Sequence, residues 1–579
     1  MKKKFIILMA DLLVGVSTFA ACGGRVPVNP DVNVDETKIS TLYIGNFDGG
    51  LKDIWLRKVC DNFEEFHRGT VFEEGKQGVK IEIDNVKGTI AGGGLFSSMV
   101  SSRDQVFFTE DINYYDGINE GAFADITKAV TTKLSKYGED KTVEDKLPES
   151  LVNYYKTDDG KYYGLPFYDG LSSFFYDRDL FDDYCFYMKK GAEADKYMVN
   201  GKLTATEMQI SNLFITDLEN DERSIGPDGE YGTYDDGLPA TYADFYALME
   251  YMVSFNIKPF TWSGMWRDYS NQLTGQLWAD YEGKTNMEML YSMTGKATDL
   301  ISVAADGTIT PLPELDINPA NAYELHKQAG KYHAMQFVKT IVSDSRYYAS
   351  KTFSGSVDQE GAQDNFVLGK YSEKLEDIAM FVEGSWWYSE ARDTINSLVP
   401  TEGQGVSWEN RNIQIMPLPK ATRDKLGKST TVVTKKSVCV VNAKQYEKSS
   451  KDKQDLIQEF IAFAHTDDSL FQFMKYTGAS RSFKLDLGEK ETQLNPFAKS
   501  IYRVISKYDM VYPYSKQPTI LNNPTFFTFD ALANYANIDG EDYTHTAFEF
   551  NDNKSLSAIS YFNGGYEYYK KNWSNVYNG

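Results

Sequence analysis

Cysteine and histidine are scarce in this chain, and their scarcity narrows the possible functions. The 579 residues contain four cysteines and five histidines, none of them at the spacing of a metal-binding motif. Cys60, Cys185 and Cys439 lie far apart with no CxxC pair, and Cys60 and Cys439 sit in apolar patterns that favour burial. The sequence therefore predicts neither a zinc enzyme nor a scaffold held by disulfides.

Basic residues are also few relative to acidic ones. The chain has 60 Lys and Arg against 83 Asp and Glu, which gives a formal net charge of -23. A surface with this excess of negative charge repels nucleic-acid phosphates and anionic lipid head groups. We therefore expect no nucleic-acid partner, and attachment to a membrane must come from a lipid rather than from basic side chains.

Common catalytic motifs are missing as well. The sequence has no HExxH pair and no GxSxG elbow, and Gly427-Lys428-Ser429 lacks the upstream glycine of a phosphate-binding loop. We therefore predict that the protein is not an enzyme. Carboxylate pairs are too numerous for any one pair to stand out, so a cell-surface glycoside hydrolase stays open as the alternative.

A short apolar segment opens the chain. Three lysines at 2–4 precede an apolar run over 5–16, and small residues lead to Ala20-Ala21-Cys22. The run is shorter than the ~20 residues of a membrane-spanning helix, and the whole pattern is typical of an export signal. Because Ala20-Ala21-Cys22 resembles a lipobox, we expect a signal peptide over 1–21, acylation of Cys22, and a flexible tether over 22–38. The alternative is a simple secretory signal; either one places the protein outside the cytoplasm.

Strand and helix patterns alternate after the tether. Apolar or alternating residues over 41–44, 79–83 and 105–108 predict three strands, and an apolar stripe over 51–66 predicts a helix between the first two. This strand–helix–strand order favours a parallel α/β architecture. The chain is too long for a single core, so at least two large lobes are expected.

Several segments carry a set of motifs in a fixed order. They lie at 121–127 (GAFADIT), 160–180 (beginning GKYYGLPF), 256–264 (NIKPFTWSG), 366–386 (ending EGSW) and 417–441. Together they resemble the extracellular solute-binding proteins of bacterial carbohydrate ABC importers, the maltose-binding-protein-like group that includes lipoproteins. The resemblance implies a two-lobed periplasmic-binding-protein-like α/β fold with interleaved domains, a hinge of crossing strands, and a solute in the cleft between the lobes.

The resemblance also implies the lobe boundaries and the partners. The N-terminal lobe is expected over 39–167 and 436–480, and the C-terminal lobe over 168–435 and 481–579. A solute that contacts both lobes only when they close shifts the open–closed equilibrium toward the form that an importer would recognise. The expected protein is a monomer, lipid-anchored at the extracellular face of the membrane, that passes a carbohydrate to the transmembrane subunits of an ABC importer. A non-sugar solute on the same fold is the alternative.

Candidate ligand-binding residues lie at strand ends and in loops, where open α/β sheets bind ligands. Aromatic rings would stack on sugar faces, while carboxylates and an arginine would hydrogen-bond hydroxyls. Phe47, Trp262, Trp386 and Trp387 are more platforms than one ring can use, so an oligosaccharide is predicted. Any of these tryptophans could instead be a core residue. The full predicted set is Asn46, Phe47, Asp48, Glu110, Asp111, Tyr168, Asp169, Trp262, Trp266, Glu383, Trp386, Trp387 and Arg481.

An acidic stretch punctuated by glycines runs over 217–237. Clustered oxygen ligands in such a loop are what Ca²⁺ prefers, although the spacing differs from that of an EF-hand. The alternative is a solvated acidic turn. The candidate ligands of a structural calcium ion, the only cofactor considered, are Asp217, Asp221, Asp228, Glu230, Asp235 and Asp236.

Overall fold

Two β-sheets, one of five strands and one of four, lie at the centre of the protein. The computed structural model describes residues 37–85, 95–110, 112–398 and 405–577. The predicted signal peptide over 1–21, the predicted lipidation site Cys22 and the candidate ligand residue Asp111 lie outside the described residues. Of the predicted tether, only residues 37 and 38 are described.

Strands and helices alternate along much of the chain, as in other α/β proteins. The strands are β1 Ser40–Asn46, β2 Val79–Asn85, β3 Val106–Glu110, β4 Gly164–Pro166, β5 Ser172–Asp177, β6 Met198–Val199, β7 Lys202–Leu203, β8 Lys258–Thr261, β9 Gly295–Ala297, β10 Ile301–Val303, β11 Ile309–Pro311, β12 Leu315–Ile317, β13 Ile378–Gly384, β14 Ile413–Ile415, β15 Thr430–Val432, β16 Ser437–Val441, β17 Asp509–Val511, β18 Ala536–Ile538 and β19 Glu541–Tyr543. The α-helices are α1 Ile54–Phe66, α2 Leu95–Ser101, α3 Tyr114–Asn119, α4 Thr127–Thr131, α5 Val143–Lys146, α6 Glu149–Tyr155, α7 Arg178–Tyr184, α8 Glu207–Ser211, α9 Tyr242–Ser254, α10 Asp268–Glu282, α11 Lys284–Ser292, α12 Ala329–Ile341, α13 Gln359–Gly369, α14 Trp387–Glu390, α15 Arg392–Ser397, α16 Ala443–Lys448, α17 Lys451–Phe463, α18 Asp467–Thr477, α19 Pro496–Lys507, α20 Pro518–Leu521, α21 Phe529–Asn534, α22 Thr546–Asp552 and α23 Ala558–Val576.

The first sheet has the strand order β2-β1-β3-β16-β4. Strand β1 runs parallel to β2 and β3, whereas β16 runs antiparallel to β3 and β4. The chain therefore leaves this sheet after β4 and returns to it much later, at β16. Segments of both pieces predicted for the N-terminal lobe thus share one sheet, while the exact boundaries of the two lobes stay a prediction.

The helix after β1 begins slightly later than the sequence pattern indicates. The pattern predicts a helix over 51–66, but α1 begins at Ile54 because Lys52 adopts a left-handed φ of 56° and Asp53 is the N-cap residue. The apolar stripe itself is confirmed, since Trp55, Val59 and Phe63 are buried. This helix packs against α18 and the first sheet, which leaves the loop between β1 and α1 at the end of the sheet.

The second sheet has the order β14-β5-β13-β8, with β13 parallel to β8 and antiparallel to β5. Aromatic side chains join it to the helices on one face. The ring of Phe174 in β5 lies 5.1 Å from Phe245 of α9, 6.1 Å from Phe260 of β8 and 6.4 Å from Phe337 of α12. This cluster forms part of a core separate from that around β1, β3 and α1.

Three short segments cross between the sheets, and we call them the hinge segments: 167–171, 433–436 and 480–482. The first leads from β4 of the first sheet to β5 of the second, and the next leads from β15 to β16. Isolated β-bridges join Asp169 to Ser480 and Leu171 to Val433. These bridges hold the segments side by side, which is the arrangement expected of crossing strands.

The predicted burial of two cysteines is confirmed. Cys60 and Cys439 are buried and Cys185 is half-buried, and all three are free thiols. Burial raises the pKa of the Cys439 thiol to about 12, so it behaves as a small apolar side chain. Within the described stretches, no helix is both long enough and apolar enough to cross a membrane.

Candidate ligand-binding site

Trp386 follows the end of β13 at a point where several parts of the chain meet. Its ring packs so closely against Gly50, Gly170 and Gly384 that an added Cβ would lie 2.7, 2.9 and 2.0 Å from it. Residues without a Cβ are the ones that allow such approaches. Because Gly50 lies in the loop after β1 and Gly170 in the hinge segments, Trp386 touches elements of both sheets and the hinge.

Two amphipathic side chains flank Trp386. The ring of Tyr269, at the start of α10, has its centroid 6.3 Å from that of Trp386, and the Lys435 Nζ lies 5.4 Å from the Trp386 centroid. Each combines an apolar body with a polar tip, which suits a surface that meets sugar rings and hydroxyls. Neither was predicted as a site residue, although Lys435 lies in a stretch that the sequence marked as a lobe crossing.

Glu383 is a buried carboxyl group beside this cluster. It occupies the penultimate position of β13 and is 0% exposed. Its Oε1 accepts a hydrogen bond from the backbone N–H of Gly384 at 3.0 Å, while its Oε2 has no hydrogen-bond partner among the described residues. Burial and the nearby carboxylate of Glu390 raise the pKa of Glu383 well above its usual range, against the opposing effects of the Gly384 N–H, Tyr269 and Lys435.

Polar side chains gather at the ends of the parallel strands β1 and β2. Asn46, which ends β1, is buried and donates from Nδ2 to the Oδ1 of Asn85, which ends β2, at 3.1 Å. The Oδ1 of Asn46 is buried without a partner in the described part of the chain. Phe47 and Asp48, next in sequence, are half-buried. Asn85 was not predicted, although the strand-end argument that selected Asn46 applies equally to it.

Glu110 and Tyr168 are brought together as the sequence analysis grouped them. Glu110 ends β3, and its Oε1 accepts a hydrogen bond from the Tyr168 hydroxyl at 2.6 Å. The backbone N–H of Tyr168 donates to the Ser437 hydroxyl at 2.8 Å. This contact ties the end of β3 to the first hinge segment and to the start of β16.

Arg481 is placed in the hinge, where it braces the backbone. Each of its nitrogens has a partner at 2.7 Å: Nε donates to the Phe167 carbonyl, Nη1 to the Ala464 carbonyl, and Nη2 lies against the Nε2 of His465. Arg481 is 4% exposed, and burial lowers its pKa to about 10. These contacts correct the predicted ligand role, because a guanidinium that already bonds to two carbonyls and a histidine has little left for a sugar.

Asp169 lies in the same hinge network. Its carboxylate accepts hydrogen bonds from the hydroxyls of Ser480, at 3.2 Å, and Ser482. The residue is 1% exposed, and burial raises its pKa to about 6 although these two hydroxyls and Arg481 lower it. Asp169 therefore links two hinge segments, and the described geometry gives it no open face toward a ligand.

Two of the predicted tryptophan platforms lie in the cores. Trp387 is 0% exposed and packs among the rings of Phe175, Phe366, Phe381, Tyr388 and Phe497. Trp262 is buried against Phe260 and Phe353, with centroids 5.0 and 5.4 Å away. These positions correct the prediction for both residues, since a ring enclosed by other side chains has no free face for a sugar.

Trp266 is exposed, in contrast to Trp262. It is 52% exposed, and its backbone N–H donates to the Ser263 hydroxyl at 3.1 Å, just before α10 begins. It stands three residues before Tyr269, about one turn of a helix. The neighbouring Met265 is also exposed, so this loop presents apolar surface next to the Trp386 cluster.

The structure does not support the predicted calcium loop. The described residues contain no group of three or more His, Cys, Asp or Glu side chains that could hold a metal ion. Hydrogen bonds within the loop engage several of the predicted ligands instead: Asp221 accepts from the N–H groups of Thr216 and Asp217, and Asp235 accepts from that of Asp228. Glu230 is exposed. The loop is therefore a hydrogen-bonded acidic turn.

Solved structures match the fold of this chain. A probable secreted solute-binding lipoprotein from Streptomyces coelicolor, the GacH receptor of Streptomyces glaucescens GLA.O and RafE from Streptococcus pneumoniae each share 12% sequence identity with it at a TM-score of 0.50. Each alignment covers 92% of this chain and 98% of the other.

At this identity the likeness shows the fold alone. It confirms the predicted fold class, a two-lobed α/β fold of the kind found in solute-binding proteins. No protein-family model matches the sequence. No curated protein matches it either.

Proposed function

We propose that this protein is a lipid-anchored extracellular solute-binding protein that captures a carbohydrate in its interlobe cleft and delivers it to an ABC importer. The observation that carries the proposal is the place of Trp386, whose ring touches the loop after β1, a hinge segment and the end of β13. A ligand stacked there would contact both sheets at once. Its binding energy would then favour the closed arrangement of the lobes.

The similar solved structures support a sugar as the solute. The GacH receptor was solved in complex with acarbose and an acarbose homolog. In this chain, the exposed Trp266, the half-buried Phe47 and the Trp386 cluster offer the aromatic faces that sugars use. Because Trp262 and Trp387 are buried, the argument for an oligosaccharide now rests on these three residues.

The remaining parts of the proposal concern location and delivery. Acylation of Cys22 would hold the protein at the outer face of the membrane through the tether over 22–38. The strongly acidic chain offers no basic patch for anionic lipids, so a lipid would supply the attachment. The transmembrane subunits of the importer would recognise the closed, sugar-bound form.

A thermal-shift screen of the purified protein tests this function. The probes are maltotriose, raffinose, xylotriose and chitotriose, and a ligand that binds only the folded state raises the melting temperature by mass action. We expect at least one sugar to do so, Trp386→Ala to abolish the shift, and Tyr231→Ala to preserve it. Tyr231 is a suitable control because it is an exposed aromatic residue in the acidic turn.

The same samples separate the alternatives. Reducing ends that accumulate over hours would identify a glycoside hydrolase and overturn the proposal. If no sugar shifts the melting temperature but a peptide or metal-chelate panel does, the solute is not a carbohydrate.

A further inference from the structure

The open oxygen of Glu383 is unusual for a buried acid. A buried carboxyl group normally has hydrogen-bond partners for its oxygens, since an unpaired one costs desolvation free energy without compensation. Here the Oε1 is bonded to the Gly384 N–H, and the fully buried Oε2 finds no partner in the described stretches. A group that is left unsatisfied in the empty protein is suited to accept a hydrogen bond from a ligand.

The position of Glu383 says which ligand group it would meet. Gly384, the next residue, lies directly against the Trp386 ring. Tyr269 and Lys435, which flank Trp386, also act on the Glu383 carboxyl group. A sugar ring stacked on Trp386 would therefore present its hydroxyls close to Glu383.

The charge around Glu383 restricts the ligand further. Glu390, in the short helix α14, is near enough to interact electrostatically with it, and the Oε2 of Glu390 accepts a hydrogen bond from Gln363 at 2.8 Å. Lys435 is the cation that opposes these two acids. An anionic group brought to this place would meet like charge in a buried, weakly screened setting.

We propose that Glu383 is a specificity-determining residue that accepts a hydrogen bond from a hydroxyl of the sugar on Trp386, and that Glu383 and Glu390 together exclude sugars bearing carboxylates. This inference rests on the proposed function, because it requires a sugar in the cleft. It names the ligand class more narrowly: uncharged oligosaccharides rather than uronates or sialylated glycans.

Matched pairs of sugars test the inference on the purified full protein. The pairs are xylotriose with the same trisaccharide carrying a glucuronate, and lactose with sialyllactose; further neutral hits from the screen are paired in the same way. Affinities come from titration calorimetry. We expect the acidic member of a bound pair to bind about a hundredfold more weakly, since like charges near a buried site are strongly discriminated against.

Variants assign the discrimination to the two acids. Glu383→Gln should weaken the neutral sugar by about tenfold, as expected for the loss of a hydrogen bond to a charged group. It should also reduce the preference over the acidic partner to less than tenfold. Glu390→Gln should reduce that preference while keeping the neutral affinity. The control is Glu541→Gln in the exposed hairpin of β18 and β19, which makes the same chemical change away from the cleft and should alter neither value.

The outcomes distinguish the inference from the function beneath it. If no sugar binds the wild-type protein, the proposed function fails and the inference fails with it. If a neutral sugar binds but its acidic partner binds equally well, the inference alone is overturned. The same holds if both acid variants keep the full preference. General damage to the fold would weaken both members of a pair equally, so a change in their ratio cannot come from that source.

Discussion

Arg481 and Glu383 are both buried charged residues, yet the structure treats them differently. Arg481 in the hinge has a partner for each of its nitrogens. Glu383, beside Trp386, has one oxygen bonded and the other without a partner in the described part of the chain. The sequence grouped them as ligand contacts because both follow predicted strands or loops. The difference teaches that saturation of the hydrogen-bonding groups, not burial or charge, separates a structural residue from a candidate binding residue.

Trp386 and Trp387 repeat the comparison with apolar side chains. Trp387 is enclosed by five aromatic rings in one of the cores. Trp386 instead packs on glycines from two sheets and the hinge and is flanked by polar tips. Neighbouring residues of the same type can thus differ in role because one turn of backbone points them in different directions.

The largest effect should follow Trp387→Ala. Removal of a buried aromatic side chain leaves a cavity and typically costs about 3–5 kcal/mol of unfolding free energy. Urea unfolding monitored by circular dichroism would measure it, and Trp266→Ala, at an exposed ring, should change stability by less than about 0.5 kcal/mol. Should Trp387→Ala instead keep its stability and lose sugar affinity, the ring would be a platform after all.

Arg481→Met should come next. The substitution leaves the Phe167 and Ala464 carbonyls and His465 without their buried partner, which we expect to destabilise the protein by about 3 kcal/mol. Calorimetry on the folded protein should show a sugar affinity within about threefold of wild type. Glu383→Gln gives the opposite pattern if the comparison holds, with affinity lost and stability kept. Equal loss of affinity in both variants would remove the distinction between them.

The elements that local patterns predicted well are those whose residues are chosen by local spacing. The strands β1, β2 and β3 and the stripe of α1 follow from alternation and helical periodicity, and the end of β1 correctly marked an edge with buried polar groups. The fate of Trp262, Trp387 and Arg481 depends on which distant residues surround them. That information lies in the tertiary packing, so a single sequence cannot separate a platform from a core ring.

Asp169 provides a smaller effect that depends on pH. Its pKa is raised from 3.8 to about 6 in the folded protein, so the folded state holds this proton more tightly than the unfolded state. Stability from this residue is therefore complete below about pH 4 and falls as the pH rises toward 6, by on the order of 2 kcal/mol. Urea unfolding of the wild type and Asp169→Asn across this range should differ in slope, with the variant flatter. Parallel slopes would show that Asp169 titrates normally and that the hinge network does not hold it.

The smallest effect should be that of calcium on the acidic turn. Its carboxylates resemble Arg481 in being engaged: Asp217 and Asp221 accept backbone N–H hydrogen bonds that lower their pKa values. Asp236 is the sharpest place to test this view, because one oxygen accepts from the Gly232 N–H while the other has no partner within the described stretches. We expect millimolar Ca²⁺ or EDTA to shift the melting temperature by less than about 1 °C, since a ligand that does not bind cannot stabilise by mass action. A calcium-dependent rise of several degrees, lost in Asp236→Asn, would instead show that an open carboxylate oxygen marks a binding site here as it does at Glu383.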